Sequence, residues 1–311
     1  MPQASPTERA AKRIAARLPP LLVAAERVAD TVSQGLHGRR RVGQGDTFWQ
    51  FRPYEAGDSA QRIDWRQTAK TAHPHIRETE WTAAQKVWLW RDATASMDYR
   101  SDLAAMTKRE RAELLLLAIA ILLLRGGEHV GLISGGAAPS NDRTTVERLT
   151  AGLMGRSPSV VWRDTSGGAP ESAETEGDLP PARPLPRHAQ LIVASDFLAP
   201  LAAVNDALRG FAARGVHGHM IQILDPAEEI LPFAGRRRFE GVEDDGAVLI
   251  RRAERLRDGY RHRMEAQRAG LAAIARRLGW TFLTHRTDHA PETTLLALHQ
   301  ALSAPPGGRP W

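Results

Sequence analysis

Lys86-Val87-Trp88-Leu89-Trp90-Arg91-Asp92-Ala93-Thr94-Ala95-Ser96-Met97 decides the fold. An apolar-rich run with Val and Trp, residues that suit a pleated and buried surface, ends in an acid. Two hydroxyls follow at alternate positions. Further along, Gln190-Leu191-Ile192-Val193-Ala194-Ser195-Asp196-Phe197 is a second apolar run that closes on an acid. In open α/β sheets, ligands bind outside the carboxyl ends of the strands. Two such strands in one parallel sheet place Asp92 and Asp196 on the same rim, beside Thr94 and Ser96. Carboxylates and hydroxyls are oxygen donors, the set a hard cation takes. Magnesium keeps several waters and uses one or two carboxylates, so it suits this group. An Asp followed by hydroxyl residues is equally an ordinary helix N-cap, and the residues alone leave both readings open.

Working outward, the main domain alternates apolar runs with helical patterns, the signature of an α/β protein with a parallel sheet. Helices are expected over Thr107–Arg125, ended by Gly126-Gly127, and over Thr145–Met154, Leu201–Arg214, Glu254–Leu278 and Pro291–Leu302. Strands are expected at His129–Ser134, Val216–Leu224 and Trp280–Thr284, with a hairpin around Asp244-Asp245-Gly246. His217 and His219 share one face of their strand and are expected to be a solvent-facing pair. Residues 164–187, rich in Pro, Gly, Ser and acid, are expected to be a flexible surface insertion.

Upstream, residues 7–34 have a helical pattern broken at Pro19-Pro20, and Gly35, Gly38, Gly43 and Gly45 mark a loop. Between Phe48 and Trp81 lie aromatic and charged stretches interrupted by Pro53, Gly57 and Pro74. Arg52, Asp58, Arg62 and Asp64 are expected to form a network of Arg–carboxylate pairs. With Tyr54 and Trp65 the same residues suit a docking surface for a partner protein. The expected organisation is a helical segment over 1–34, a small appended subdomain over 35–84, the α/β domain over 85–303 and a frayed tail over 304–311.

The chain of 311 residues is ample for a sizeable core, and 42% hydrophobic with 25% charged residues is a globular composition. There is no cysteine, which excludes disulfides and thiolate metal sites and fits a reducing compartment. A formal charge of +6 is a modest basic excess that solubility alone explains. The first twenty residues lack the apolar core of a secretory signal. The longest apolar run, Leu114–Leu124, is shorter than the ~18–20 residues of a membrane span and suits a helix buried against a sheet.

Asp92-x-Thr94-x-Ser96 after a strand, with Asp196 closing a later one, resembles the metal-ion-dependent adhesion site (MIDAS) of von Willebrand factor A domains. The usual form has Ser where Thr94 stands; Thr keeps the hydroxyl, but its extra methyl narrows its rotamers. Gly43-Gln44-Gly45-Asp46, Phe51-Arg52-Pro53-Tyr54-Glu55-Ala56-Gly57-Asp58 and Arg62-Ile63-Asp64-Trp65 resemble the signature of the bacterial domain-of-unknown-function family fifty-eight. That family carries such a segment just before a von Willebrand-like domain. Asp225-Pro226-Ala227-Glu228 and Leu231-Pro232-Phe233 look like it too.

The resemblance implies a doubly wound, mostly parallel sheet of von Willebrand factor A type with a small N-terminal appendage. It implies Mg2+ or another divalent cation held by Asp92, Thr94, Ser96 and Asp196. A loop Thr often completes that shell, and here Ser157, Thr165 and Ser166 are the candidates. It further implies a cytoplasmic, non-enzymatic adaptor or co-chaperone whose partner is a MoxR-type AAA+ ATPase.

Two other classes compete with the adaptor. A metal-assisted phosphohydrolase could use the same acids, but the chain has no P-loop, Gly-x-Ser-x-Gly elbow, His-Glu-x-x-His helix or dinucleotide fingerprint. Nucleic-acid binding would rest on Arg runs at 39–41, 236–238 and 251–263, which are scattered and unaccompanied by a recognised motif.

Overall fold

A computed structural model describes residues 21–33, 42–55, 63–71, 73–80, 84–155, 177–240 and 246–303. The chain divides into two compact units, Ser33–Gln85 and a larger one of Met1–Val32 with Lys86–Trp311.

Helix α1, residues 21–33, belongs to the larger unit up to Val32. It buries Ala25, Val28, Ala29 and Val32, the helical spacing of one face, and its Asp30 pairs with Arg125 at 2.5 Å.

The smaller unit is an antiparallel ribbon of β1 (Val42–Pro53) and β2 (His75–Glu80) with a one-turn helix α2 (Trp65–Thr68) between them. The register shifts between Gly43 and Phe48 and again before Gln50, so the glycine-rich start is irregular. Asp64, expected in the Arg–carboxylate network, has a local partner. It is the N-cap of α2, its Oδ1 accepting the Gln67 amide at 2.9 Å, because a carboxylate just before a helix meets unpaired amides first. Arg52 donates to the Pro53 carbonyl at 3.0 Å. Tyr54 and Trp65 are 36% and 68% exposed. Asp58 and Arg62 lie outside the described residues.

The larger unit runs β3 (Lys86–Arg91), α3 (Lys108–Arg125), β4 (His129–Leu132), α4 (Thr145–Met154), β5 (Gln190–Ser195), α5 (Leu201–Ala212), β6 (His217–Leu224) and α6 (Pro226–Ile230). It continues through a hairpin, β7 (Arg237–Glu240) with β8 (Ala247–Ile250), then α7 (Arg257–Leu278), β9 (Thr281–Arg286) and α8 (Pro291–Ser303). Five strands form one parallel sheet in the order β4-β3-β5-β6-β9. In β5 every residue is buried, and in β3 all but Lys86. A parallel sheet covered on both faces requires such unbroken apolar runs. An antiparallel bridge of Val130 with Ser140 extends the β4 edge.

Helix α3 is buried along nearly its whole length, which explains why it is apolar on every side. It opens with a reciprocal cap: Thr107 Oγ1 accepts the Glu110 amide at 3.1 Å and Glu110 accepts the Thr107 amide at 2.9 Å. Trp88, Trp90, Leu191, Val193 and Met220 form a continuous core with Val204, Leu208 and Phe211 of α5 and Leu271 and Ile274 of α7.

One expectation is corrected here. His219 is 4% exposed, its ring nitrogens 2.9 Å from Gln190 Oε1 and 2.8 Å from Thr281 Oγ1. Its strand is interior to the sheet, so neighbours on both sides supply partners where solvent was expected. Of the insertion expected over 164–187, residues 177–187 are described: six of these eleven are exposed, Pro180 and Leu185 are buried, and Arg183 donates to the Ile133 carbonyl at 2.7 Å.

Candidate functional site

Numbered within the sheet, the strand order is 2-1-3-4-5, so its direction of winding reverses between β3 and β5. That switch point is where open α/β sheets bind their ligands. Asp92 follows β3 and Asp196 follows β5. The two strands pair from Val87 with Gln190 to Arg91 with Ala194, and the ladder runs one step further, the Asp92 amide donating to the Ala194 carbonyl at 2.9 Å. Register therefore brings the two acids side by side.

The four residues named from the sequence meet in one polar cluster. Asp92 Oδ1 accepts the Thr94 amide at 2.8 Å and the Thr94 hydroxyl at 2.6 Å. Thr94 Oγ1 lies 3.0 Å from Ser96 Oγ, and Ser96 Oγ donates to Asp196 Oδ2 at 2.7 Å. The capping alternative is partly realised. Asp92 binds the Thr94 amide, but the chain then forms only a single 3-10 turn, Ala95–Asp98, and Thr94 makes no side-chain cap bond there. Ser157, Thr165 and Ser166 lie outside the described residues.

Further residues join that the sequence reading did not single out. Ser195, the last residue of β5, donates to Asp92 Oδ2 at 2.7 Å and accepts the Phe197 amide at 2.8 Å. Lys108, the first residue of α3, is 0% exposed; its ammonium lies 2.8 Å from Asp196 Oδ2 and 2.5 Å from Glu228 Oε1. Glu228 Oε2 accepts the Asp225 amide at 2.9 Å, and Asp225 in turn accepts the Ser101 amide at 2.9 Å. Arg109 donates to the carbonyls of Ala93 and Thr94 and pairs with Asp98. Three loops, after β3, β5 and β6, are thus tied together. One feature of the sequence bears on Lys108, though Arg109 and Arg111 share it. Lys108 stands in the first turn of a helix, where the macrodipole favours acids, so its charge needs a partner from elsewhere.

The electrostatics are unbalanced. Asp92, Asp196 and Asp225 are 1%, 2% and 0% exposed, Glu228 is nearby, and one ammonium serves the hydrogen-bonded set. The Asp92 carboxylate is bonded by the neutral donors of Thr94 and Ser195. Burial pushes its carboxyl above the usual range, against the bonds from Thr94 and Ser195, and the Asp196 charge adds to the rise. For Lys108, burial opposes the charged form, but Glu228 and Asp196 more than offset it and the amine is held charged. Among the described residues no three His, Cys, Asp or Glu side chains group to hold a metal ion. Half of the rim set is hydroxyl, however. An excess of buried carboxylate beside two hydroxyls is a donor set that fits a hard divalent cation.

Fold and rim together define an α/β protein with a parallel sheet and an acid–hydroxyl cluster at its switch point. The model of the family described as "Protein of unknown function DUF58" matches residues 50–270, and the chain belongs to that family. It is 32% identical over 283 residues to uncharacterized protein Mb1516 of Mycobacterium bovis, covering 89% of this chain and 86% of that one. The figures are the same for uncharacterized protein Rv1480 of Mycobacterium tuberculosis. Among solved structures, the conserved hypothetical protein BatB from Bacteroides thetaiotaomicron aligns over 71% of this chain and 98% of its own, at 17% identity and a TM-score of 0.39. An aerotolerance-related membrane protein from Bacteroides fragilis aligns over 71% and 99%, at 15% identity and 0.39. In this chain no described helix is long and apolar enough to cross a membrane.

Proposed function

We propose that the chain is a metal-ion-dependent protein-interaction module of von Willebrand factor A type, working without catalysis as a cytoplasmic adaptor or co-chaperone. One observation carries the reading: two carboxylates and two hydroxyls from distant parts of the chain converge at the switch point with an excess of negative charge. A divalent cation held there by Asp92, Thr94 and Ser96, with Asp196 accepting bonds from its waters, supplies an open position for an acidic side chain of a partner. The partner class, a MoxR-type AAA+ ATPase, comes from the sequence resemblance and is a proposal by analogy.

A pull-down with the purified ATPase tests it. Binding is expected in magnesium, with loss in EDTA and loss on Asp92→Ala in a variant that keeps its circular dichroism. Equal capture by wild type and variant, with and without EDTA, sinks the reading.

A further inference from the structure

Lys108 is an unusual side chain to find fully buried. Lysines are almost never so unless paired, and this one opens a helix at the end that repels positive charge. Its place is therefore maintained by its two acids, Asp196 at 2.8 Å and Glu228 at 2.5 Å. The Asp196 oxygen it holds, Oδ2, is the one that also accepts the Ser96 hydroxyl at 2.7 Å. One carboxylate oxygen thus faces both the ammonium and the hydroxyl cluster. A divalent cation drawing on that cluster brings a second positive charge against an ammonium that is itself fully buried, where like charges repel more strongly than in water.

We propose that Lys108 is a built-in counter-cation of the rim, holding Asp196 in place when no metal is bound and competing with a divalent cation for it. The inference rests on the metal-dependent reading above and adds what sets the strength of that dependence. Glu228 gives the displaced ammonium a second acid to stay with. Because the other Glu228 oxygen holds the Asp225 amide, the exchange is felt at the start of α6. The rim is ordered in either state, and metal occupancy becomes conditional on supply.

Manganese binding to the full chain, measured by titration calorimetry, tests this on wild type, Lys108→Met and Lys108→Gln, with folding checked by circular dichroism. Competition predicts that each neutral variant binds manganese at least about tenfold tighter than wild type, equivalent to ~1.4 kcal/mol. Asp92→Ala is expected to abolish binding in either background. A neutral variant that folds and binds no tighter than a binding wild type overturns the competition and leaves the metal site standing. No binding by wild type or by either folded neutral variant overturns both. If neither neutral variant folds, the wild-type protein is enough: the side-chain nitrogen resonance of Lys108 must shift when magnesium is added. An unmoved resonance alongside measured binding overturns the proposal.

Discussion

Ser195 donates its hydroxyl to Asp92 across the pairing of β5 with β3, at 2.7 Å, while its own oxygen accepts the Phe197 amide at 2.8 Å. One small side chain therefore satisfies a buried carboxylate oxygen and fixes the turn at Phe197, whose φ of 53° is in the left-handed region. Ser195→Ala leaves both partners unsatisfied in a site shielded from water. The expected loss is about 1–3 kcal/mol, read as a lower midpoint in urea unfolding. An unchanged midpoint means that water substitutes for the hydroxyl.

Asp92→Asn is expected to raise the melting temperature at pH 7 in EDTA. Burial lifts the folded carboxyl above its ordinary 3.8, so its favourable contribution is complete below that value and is lost as pH rises through the folded pKa. The advantage of the amide must vanish in acid, where both side chains are neutral. It must also shrink in magnesium, where the wild type gains a counter-charge. Thermal melts across pH with each additive check all three arms.

His219 and His285 carry an opposite linkage. Burial first, then the His217 charge for one and Arg111 for the other, lowers each from 6.5 to about 4. The unfolded chain takes up these protons first, so stability is full above pH 6.5, falls as pH drops toward 4, and levels off below. Each ring contributes about 3 kcal/mol to that loss. His219→Gln is expected to flatten part of the slope between those limits in denaturant unfolding.

Gly218 and Gly210 make a contrasting pair. A Cβ at Gly218 would come within 1.9 Å of the Trp280 ring, so Gly218→Ala overpacks the core and is expected to cost about 2–3 kcal/mol. A Cβ at Gly210, in α5, meets nothing within 4 Å, and Gly210→Ala is expected to add about 0.5–1 kcal/mol. Paired denaturant curves test the strand packing independently of the rim.

Helix α4 was legible down to its bounds, Thr145–Met154, and the strands carrying Asp92 and Asp196 were legible as apolar runs that close on acids. Those signals are local, and local pattern sufficed. His219 was misread because periodicity tells which way a side chain points, not which strand stands beside it. Ser195 is not singled out by pattern for the same reason: its partner follows β3, more than a hundred residues away along the chain. Within residues 177–187, Leu179 and Leu185 pack on the core and Pro180 is buried, and Arg183 reaches a carbonyl that no composition reveals. Lys108 was hidden by its setting at the head of a strongly apolar helix. Its partners come from two loops that only the sheet brings together.

The pairing of β3 with β5 acts as a ruler for the rim. Side-chain exchanges of conserved volume along either strand leave that ruler untouched. One added or deleted residue in β3 would turn Asp92 to the opposite face and strand its partners on Asp196. The spacing of the two acids is thus inherited from backbone geometry and not from the side chains that fill the strands.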